Sequence, residues 1–453
     1  MSNQVSDKIK AFKDKLFAAA KAKGFTDCEI FLGGRDSFTV QVLKGEISEY
    51  KNASAMGLSF RGTIKGKVGY ASTERIADDV IDFLVDNAAG NAEIIESADM
   101  EELFPGDKAY AEVKTYEAAL ENVPVEDKIK KALAMEKAAF DTDSRVKGVD
   151  YNAVSTVSGY TFIANSLGLD IFRRSNGAFG YAMARVEQDG QFKSALDVWA
   201  GHNWNDFNPE TVGKTAVGDA IKLLGAKPAP TGKYDAILDR DQASALLGVF
   251  WSALSADRVH KGFSLFKGKL GTKVAADHIT VRDDALLDLK NGSKAFDDEG
   301  VATSNNVIIE KGILKTYLHN TKTAKKDGVK PTGNGAKQSY AAPLDIQPNN
   351  LYIQPTKTTK EELIKEMGNG IIITDLAGLH AGANPTSGDF SLLAGGFLVE
   401  NGALSKPVEQ ITIAGNFFDL LTNIVKAGDD LDLNRTNIAA PSLWVKGISV
   451  SGV

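Results

Sequence analysis

The dipeptide Asn401-Gly402, set between Phe397-Leu398-Val399 and Ala403-Leu404, constrains this chain more than any other short stretch. Both positions tolerate positive φ, so Asn-Gly between apolar runs specifies a two-residue hairpin turn. Upstream, 378–396 is rich in glycine and serine, with Gly378, Gly382, Gly388 and the loop-former Pro385. Few of its side chains are bulky enough to fill a core, which predicts a loop at the surface or against something else.

The same punctuation recurs elsewhere. Over 28–70, short alternating runs are broken at Lys44-Gly45, Arg61-Gly62 and Lys65-Gly66. Over 149–199 the breaks are Asn165-Ser166, Asn176-Gly177 and Asp189-Gly190. Hairpins in series predict antiparallel sheets. Helical spacing places Ile9, Phe12, Leu16 and Ala20 on one face of 6–23, with Gly24 as a stop. Ser72 is read as the cap of a helix burying Ile76, Val80, Phe83 and Leu84, and 125–140 as a helix burying Ile129, Ala132, Leu133 and Phe140. Asn208-Pro209 opens another helix, which ends near Gly225. Helices are also expected over 241–256 and 359–367, amid short strands.

These readings give an α+β fold: an N-terminal α+β domain of antiparallel hairpins and helices over 1–226, then a β-rich C-terminal domain over 233–453. Candidate subdomains 1–92 and 109–226 flank the acid-rich connection 93–108, and Lys227-Pro228-Ala229-Pro230-Thr231-Gly232 is the linker. At 453 residues, more than one core is the default.

Lysine and arginine total 52 against 59 acids, a net charge of −7, which disfavours nucleic acid as a partner. Lys322, Lys325, Lys326, Lys330 and Lys337 form a modest basic cluster in a loop, read as a solvated face. Cys28 is the single cysteine, which rules out an intrachain disulfide and any multi-cysteine metal site. The N-terminus lacks a signal-type apolar core and no run is long enough to span a bilayer, so a cytoplasmic protein without a membrane partner is expected.

Several blocks together resemble the TldD/PmbA family, in its gyrase-modulator or TldE-like branch. They are Gly388-Asp389-Phe390-Ser391, Gly395-Gly396-Phe397 and Val399-Glu400-Asn401-Gly402. Asp297-Asp298-Glu299-Gly300-Val301, Val307–Lys315, Pro331-Thr332-Gly333-Asn334 and Asn165-Ser166-Leu167-Gly168 support them. The likeness is strongest from about residue 234 onward. In the TldD branch, the helix corresponding to 241–256 carries a His-Glu-x-x-x-His zinc motif, with the glutamate as proton acceptor. Aligning Leu246-Leu247 and Gly262-x-Ser264-x-Phe266 puts Gly248 and Ala253 at the histidine positions and Val249 at the glutamate. The resemblance therefore implies no cofactor in this chain, with zinc only in a TldD-type partner.

Other constellations are weaker. His202, His260, His278, His319 and His380 include no pair at helical ligand spacing. Asp257-Arg258-Val259-His260 joins a carboxylate and an imidazole but is read as structural or solvent-exposed; His380, in the glycine loop, is the better candidate for facing a ligand. No Gly-x-Ser-x-Gly elbow is present, and Gly333-Asn334-Gly335 is too short to cradle phosphate. Asp297-Asp298-Glu299 offers hard oxygens for a cation, but adjacent extended residues point to opposite faces, so a solvated turn is expected.

The leading functional reading is a non-catalytic subunit of a TldD-type zinc protease acting on extended, unfolded peptides. His380, Gly388, Asp389, Phe390, Ser391, Gly395, Gly396 and Phe397 are its candidates for peptide or subunit contact. A homodimer is an option when the partner is absent. The alternatives are a protein-binding regulator of gyrase type, and an independent peptidase built around Asp257, His260 and His380.

Overall fold

A computed structural model of the protein describes residues 7–94 and 102–453. Much of the acid-rich connection falls outside the described residues. Six strands make the first sheet. β1 (Phe25–Leu43), β2 (Glu46–Ile64) and β3 (Lys67–Thr73) are linked by turns at Lys44-Gly45 and Lys65-Gly66, all four residues having positive φ. β4 (Val146–Asn165), β5 (Asp170–Gln188) and β6 (Gln191–Gly201) follow the same plan. The order is β3-β2-β1-β4-β5-β6, antiparallel throughout, and the two triplets meet at the β1–β4 pair. Helices Asp7–Lys23 and Ile81–Ile94 flank the first triplet; Val125–Thr142 and Pro209–Lys222 flank the second.

Side chains alternate along a strand, so parity decides what each face covers. Ile30 and Leu32 of β1 pack with Phe12, Leu16 and Leu84, while Phe38, Val40 and Val42, of the same parity, pack with Met135, Ala139 and Val217. The four helices thus share one face, in two separate cores. Phe31 points the other way, into a cluster with Ile163, Leu169 and Phe296. That opposite face receives the C-terminal half.

Several local expectations are corrected. Arg61-Gly62 and Asn176-Gly177 are not turns but lie inside β2 and β5. Gly62 is needed for packing, since an added Cβ would sit 2.5 Å from the Phe25 ring. Ser72 belongs to β3 rather than to a helix cap, and Phe83 and Phe140 face outward, at 54% and 41% exposure. Met135 and Ala139 fill the core where Phe140 was expected.

In the C-terminal half, one sheet runs Ala403–Asn416, Asp389–Glu400, Gly370–Ala377, Gly232–Leu238, Leu443–Ser451, Ile424–Ala427. Ala403–Asn416 also pairs with Leu443–Ser451, so the sheet closes on itself. A second sheet of five short strands lies nearby. Asn401 and Gly402 form the expected turn, with φ 54° and 76°. The preceding loop is shorter than expected: from Asp389 the chain is strand, and Phe390, Leu392 and Ala394 are buried at period two. The basic cluster is likewise not a loop, because Lys322, Lys325 and Lys326 sit on the helix Thr321–Asp327, started by an Asn320–Thr323 capping box. Lys337 stands apart from them, over the Phe31 ring at 4.8 Å. Residues 227–231 lie against the closed sheet, with Ala229 buried and Thr231 N donating to Val453 O at 3.0 Å.

Candidate functional site

The helix Arg240–Phe250 buries Ala243, Leu246, Leu247 and Phe250, and Phe250 stacks on Phe417 with ring centroids 4.6 Å apart. The helix stops at Phe250 and a 3-10 turn, Trp251–Leu254, continues the chain, short of the helix end at 256 that periodicity suggested. Gly248 faces open space: a Cβ there would meet no atom within 4 Å. Val249 is half-buried against the core, and Ala253 is 1% exposed, its carbonyl accepting from Ser264 Oγ at 2.6 Å. None of these three side chains has an atom able to bind zinc or carry a proton, so this helix does not fit the metal of the TldD motif. Among the described residues, no group of three His, Cys, Asp or Glu is arranged to hold a metal ion.

Beside this helix packs the short turn Leu379–Gly382, which carries the exposed His380. From there the chain enters Asp389–Glu400, whose backbone is paired on one side with Gly370–Ala377 and on the other with Ala403–Asn416. Both edges are paired along 393–399; at 389–390 the edge away from Ala403–Asn416 is met by the Ala383–Phe390 bridge and by Asn384 N donating to Asp389 O at 2.8 Å. Asp389, Ser391 and Leu393 point out, whereas Phe390, Gly395 and Gly396 are buried and Phe397 is half-buried. Gly396 lies so close to its neighbour that a Cβ would fall 1.9 Å from Ile372 O. Its lack of a side chain serves the sheet.

The sequence pair Asp257 and His260 separates: Asp257 Oδ2 is 2.7 Å from Lys261 Nζ, while His260 Nε2 is 2.7 Å from Asp327 Oδ1. His319 is buried beside Thr323. Asp257 and Lys261 line a cavity of about 430 Å³ where the two halves meet, together with Arg61, Phe104, Glu299 and Thr321.

Asp297-Asp298-Glu299 is the largest departure from expectation. It is not solvated; the three side chains are buried, at 0%, 6% and 4% exposure. Each acid turns to a different partner. Asp297 accepts backbone N–H groups of Glu299, Val301 and Gly335 at 2.8–3.0 Å. Asp298 accepts from Arg173 Nη2 at 2.5 Å and Lys337 N at 2.8 Å. Glu299 accepts from Thr321 N at 2.8 Å and from Thr321 Oγ1. Asp283, equally buried, accepts from Asn349 N at 2.7 Å and from the amides of Asn334 and Asn349.

Burial, with the Glu299 charge adding to it, pushes Asp297 up to about 8. Burial raises Glu299, against the opposing Thr321 hydrogen bonds, and lifts Asp283 to about 6. Asp298 goes the other way: burial would raise it, but Arg173 and Lys294 together hold it below the usual carboxylate range. The network welds the C-terminal half to the first sheet. Sequence reasoning missed Arg173, Asp283 and Asn349, and the buried role of Asn334, because nothing local marks a buried polar partner drawn from distant strands.

With this geometry in place, similarity to known proteins becomes specific. Family models described as PmbA/TldA metallopeptidase domain 1, central domain and C-terminal domain match residues 28–92, 118–224 and 231–452. These matches define a metallopeptidase-type class of fold, and the chain belongs to the PmbA/TldD family. It is 30% identical to a Buchnera aphidicola protein named a metalloprotease PmbA homolog, over 72% of this chain and 71% of the other. A crystal structure from Thermotoga maritima, described as a candidate modulator of a DNA gyrase, matches with TM-score 0.91 at 36% identity, covering 98% of this chain and 100% of that one. TldE from Thermococcus kodakarensis shares the fold, at TM-score 0.89, 23% identity and coverage of 97% and 100%.

No helix among the described residues is long and apolar enough to cross a membrane.

Proposed function

We propose that this chain is the non-catalytic subunit of a TldD-type zinc peptidase, shaping the chamber in which an extended, unfolded peptide is held. The observation that carries the reading is the helix Arg240–Phe250 and its following turn, which keep the family framework but offer Gly248, Val249 and Ala253 in place of two imidazoles and a carboxylate. Zinc and the activated water then belong to the partner. This chain supplies walls and a docking face, with Asp389, Ser391 and Leu393 projecting beside the His380 turn.

The experiment combines the purified chain with a TldD-type protein. Co-elution as one complex, and cleavage of unfolded peptide that a chelator abolishes, is the expected result. Cleavage by this chain alone, or no complex by size exclusion, overturns the reading. A gyrase-type regulator is the second reading, supported by the description of the Thermotoga maritima relative. It requires capture of gyrase by this chain without any TldD-type protein present.

A further inference from the structure

A second cavity, about 460 Å³, opens between the first sheet and residues 290–294. Its volume suits a small molecule. Among the described residues its lining includes Arg35, Arg173, Arg174, His202, Lys290 and Lys294, and no aspartate or glutamate. Five cationic side chains have been gathered on one wall set of a protein whose net charge is −7. Like charges so placed repel, and the cost falls when an anion sits among them.

Not all of this charge is spent within the protein. Arg173 is engaged by Asp298 and the Phe296 carbonyl, and Arg174 by Glu121 at 2.7 Å and the Tyr116 ring. Lys290 Nζ meets only the neutral Asn434 Oδ1, at 2.9 Å. The Arg35 guanidinium and Lys294 Nζ have no hydrogen-bond or ion-pair partner among the described residues. Burial and the Arg173 charge push the Lys294 ammonium below its ordinary value, and the charges of Asp298, Asp297 and Asp283 act against that lowering. His202 Nδ1, on the same lining, is buried without a partner. Gly34, also on the lining, lies under the Tyr160 ring, where a Cβ would fall 2.3 Å from it.

We infer that this cavity binds an oxyanion carrying two or more negative charges, of phosphate or carboxylate type, with Arg35, Lys290 and Lys294 as its principal charge partners. The site lies apart from the helix Arg240–Phe250, and the inference does not depend on the peptidase reading.

Isothermal titration calorimetry on the full chain, at fixed ionic strength, tests it with inorganic pyrophosphate in one arm and citrate in the other. Saturable one-to-one binding of either anion is expected, and the tighter of the two identifies a phosphate or a carboxylate ligand. Arg35→Gln and Lys294→Met should each weaken binding by about tenfold or more, as loss of a charged hydrogen bond does. Lys325→Gln, on a different surface, should leave it unchanged. Arg35 is exposed, so its replacement leaves the fold intact even where that of Lys294 does not. No saturable heat with either anion overturns the inference, and so does equal weakening by Lys325→Gln, which would mark diffuse charge attraction.

Discussion

Arg173 on β5 donates from Nη2 to Asp298 Oδ1 at 2.5 Å, so the first sheet and the C-terminal half share one charge pair. The carboxylate side of the pair is 7% exposed and the arginine 22%. Asp298→Asn leaves the guanidinium without its counter-charge and should lower stability by about 3 kcal/mol, measured by urea unfolding at pH 7. Because the folded Asp298 is held below its usual value, its contribution is present above about pH 4 and lost as pH falls through that lower value. The variant should therefore lose less stability than the parent on acidification. An equal loss in both would count against the pair.

Asp283 behaves in the opposite sense. Burial raises it to about 6, so the folded state holds its proton more tightly than the unfolded chain does. Its stabilising contribution is complete below about pH 4 and fades as pH rises through 6, by roughly 3 kcal/mol at most. Asp283→Asn should flatten the stability profile between pH 4 and 6, whatever its effect on absolute stability. An unchanged slope shows that Asp283 does not titrate there.

Tyr340 lies directly on Gly57 of β2 and reaches Glu74 Oε1 at 3.0 Å. A Cβ at Gly57 would fall 2.2 Å from the Tyr340 ring, so Gly57→Ala should cost ~1–3 kcal/mol. In a Tyr340→Ala background that cost should largely vanish, which a double-mutant cycle in denaturant would read directly.

Gly248 and Ala253, the positions that the family resemblance sets against the two histidines, differ in what they tolerate. Gly248→His projects into open space and should leave the melting temperature within a few degrees of the parent. Ala253→His drives an imidazole into a position 1% exposed and should destabilise by more than ~2 kcal/mol. If both were tolerated equally, position 253 would not be a closed part of the core.

Leu393 is 53% exposed on the outer face of Asp389–Glu400. If that face docks the catalytic partner, Leu393→Arg should weaken the complex on size exclusion by ~2 kcal/mol or more, without altering this chain's own melting curve. Unchanged co-elution would move the interface elsewhere.

What could be read in advance was local. Lys44-Gly45, Lys65-Gly66, Asp189-Gly190 and Asn401-Gly402 are turns because positive φ is a property of the residues themselves. The cap at Asn208 belongs to the same class. Arg61-Gly62 carries the same signal but obeys a different constraint, the ring of Phe25 lying over it.

The sequence by itself determined most of the hairpins and the main helices, since each depends on a few neighbouring residues. Only the tertiary structure decided that Asp297, Asp298 and Glu299 would be buried, each with a different partner from outside its own turn: Gly335, Arg173 and Thr321. It alone brought Arg35, Lys290 and Lys294 around one cavity. Burial and charge proximity are set by which strands meet, and those meetings join residues more than a hundred positions apart.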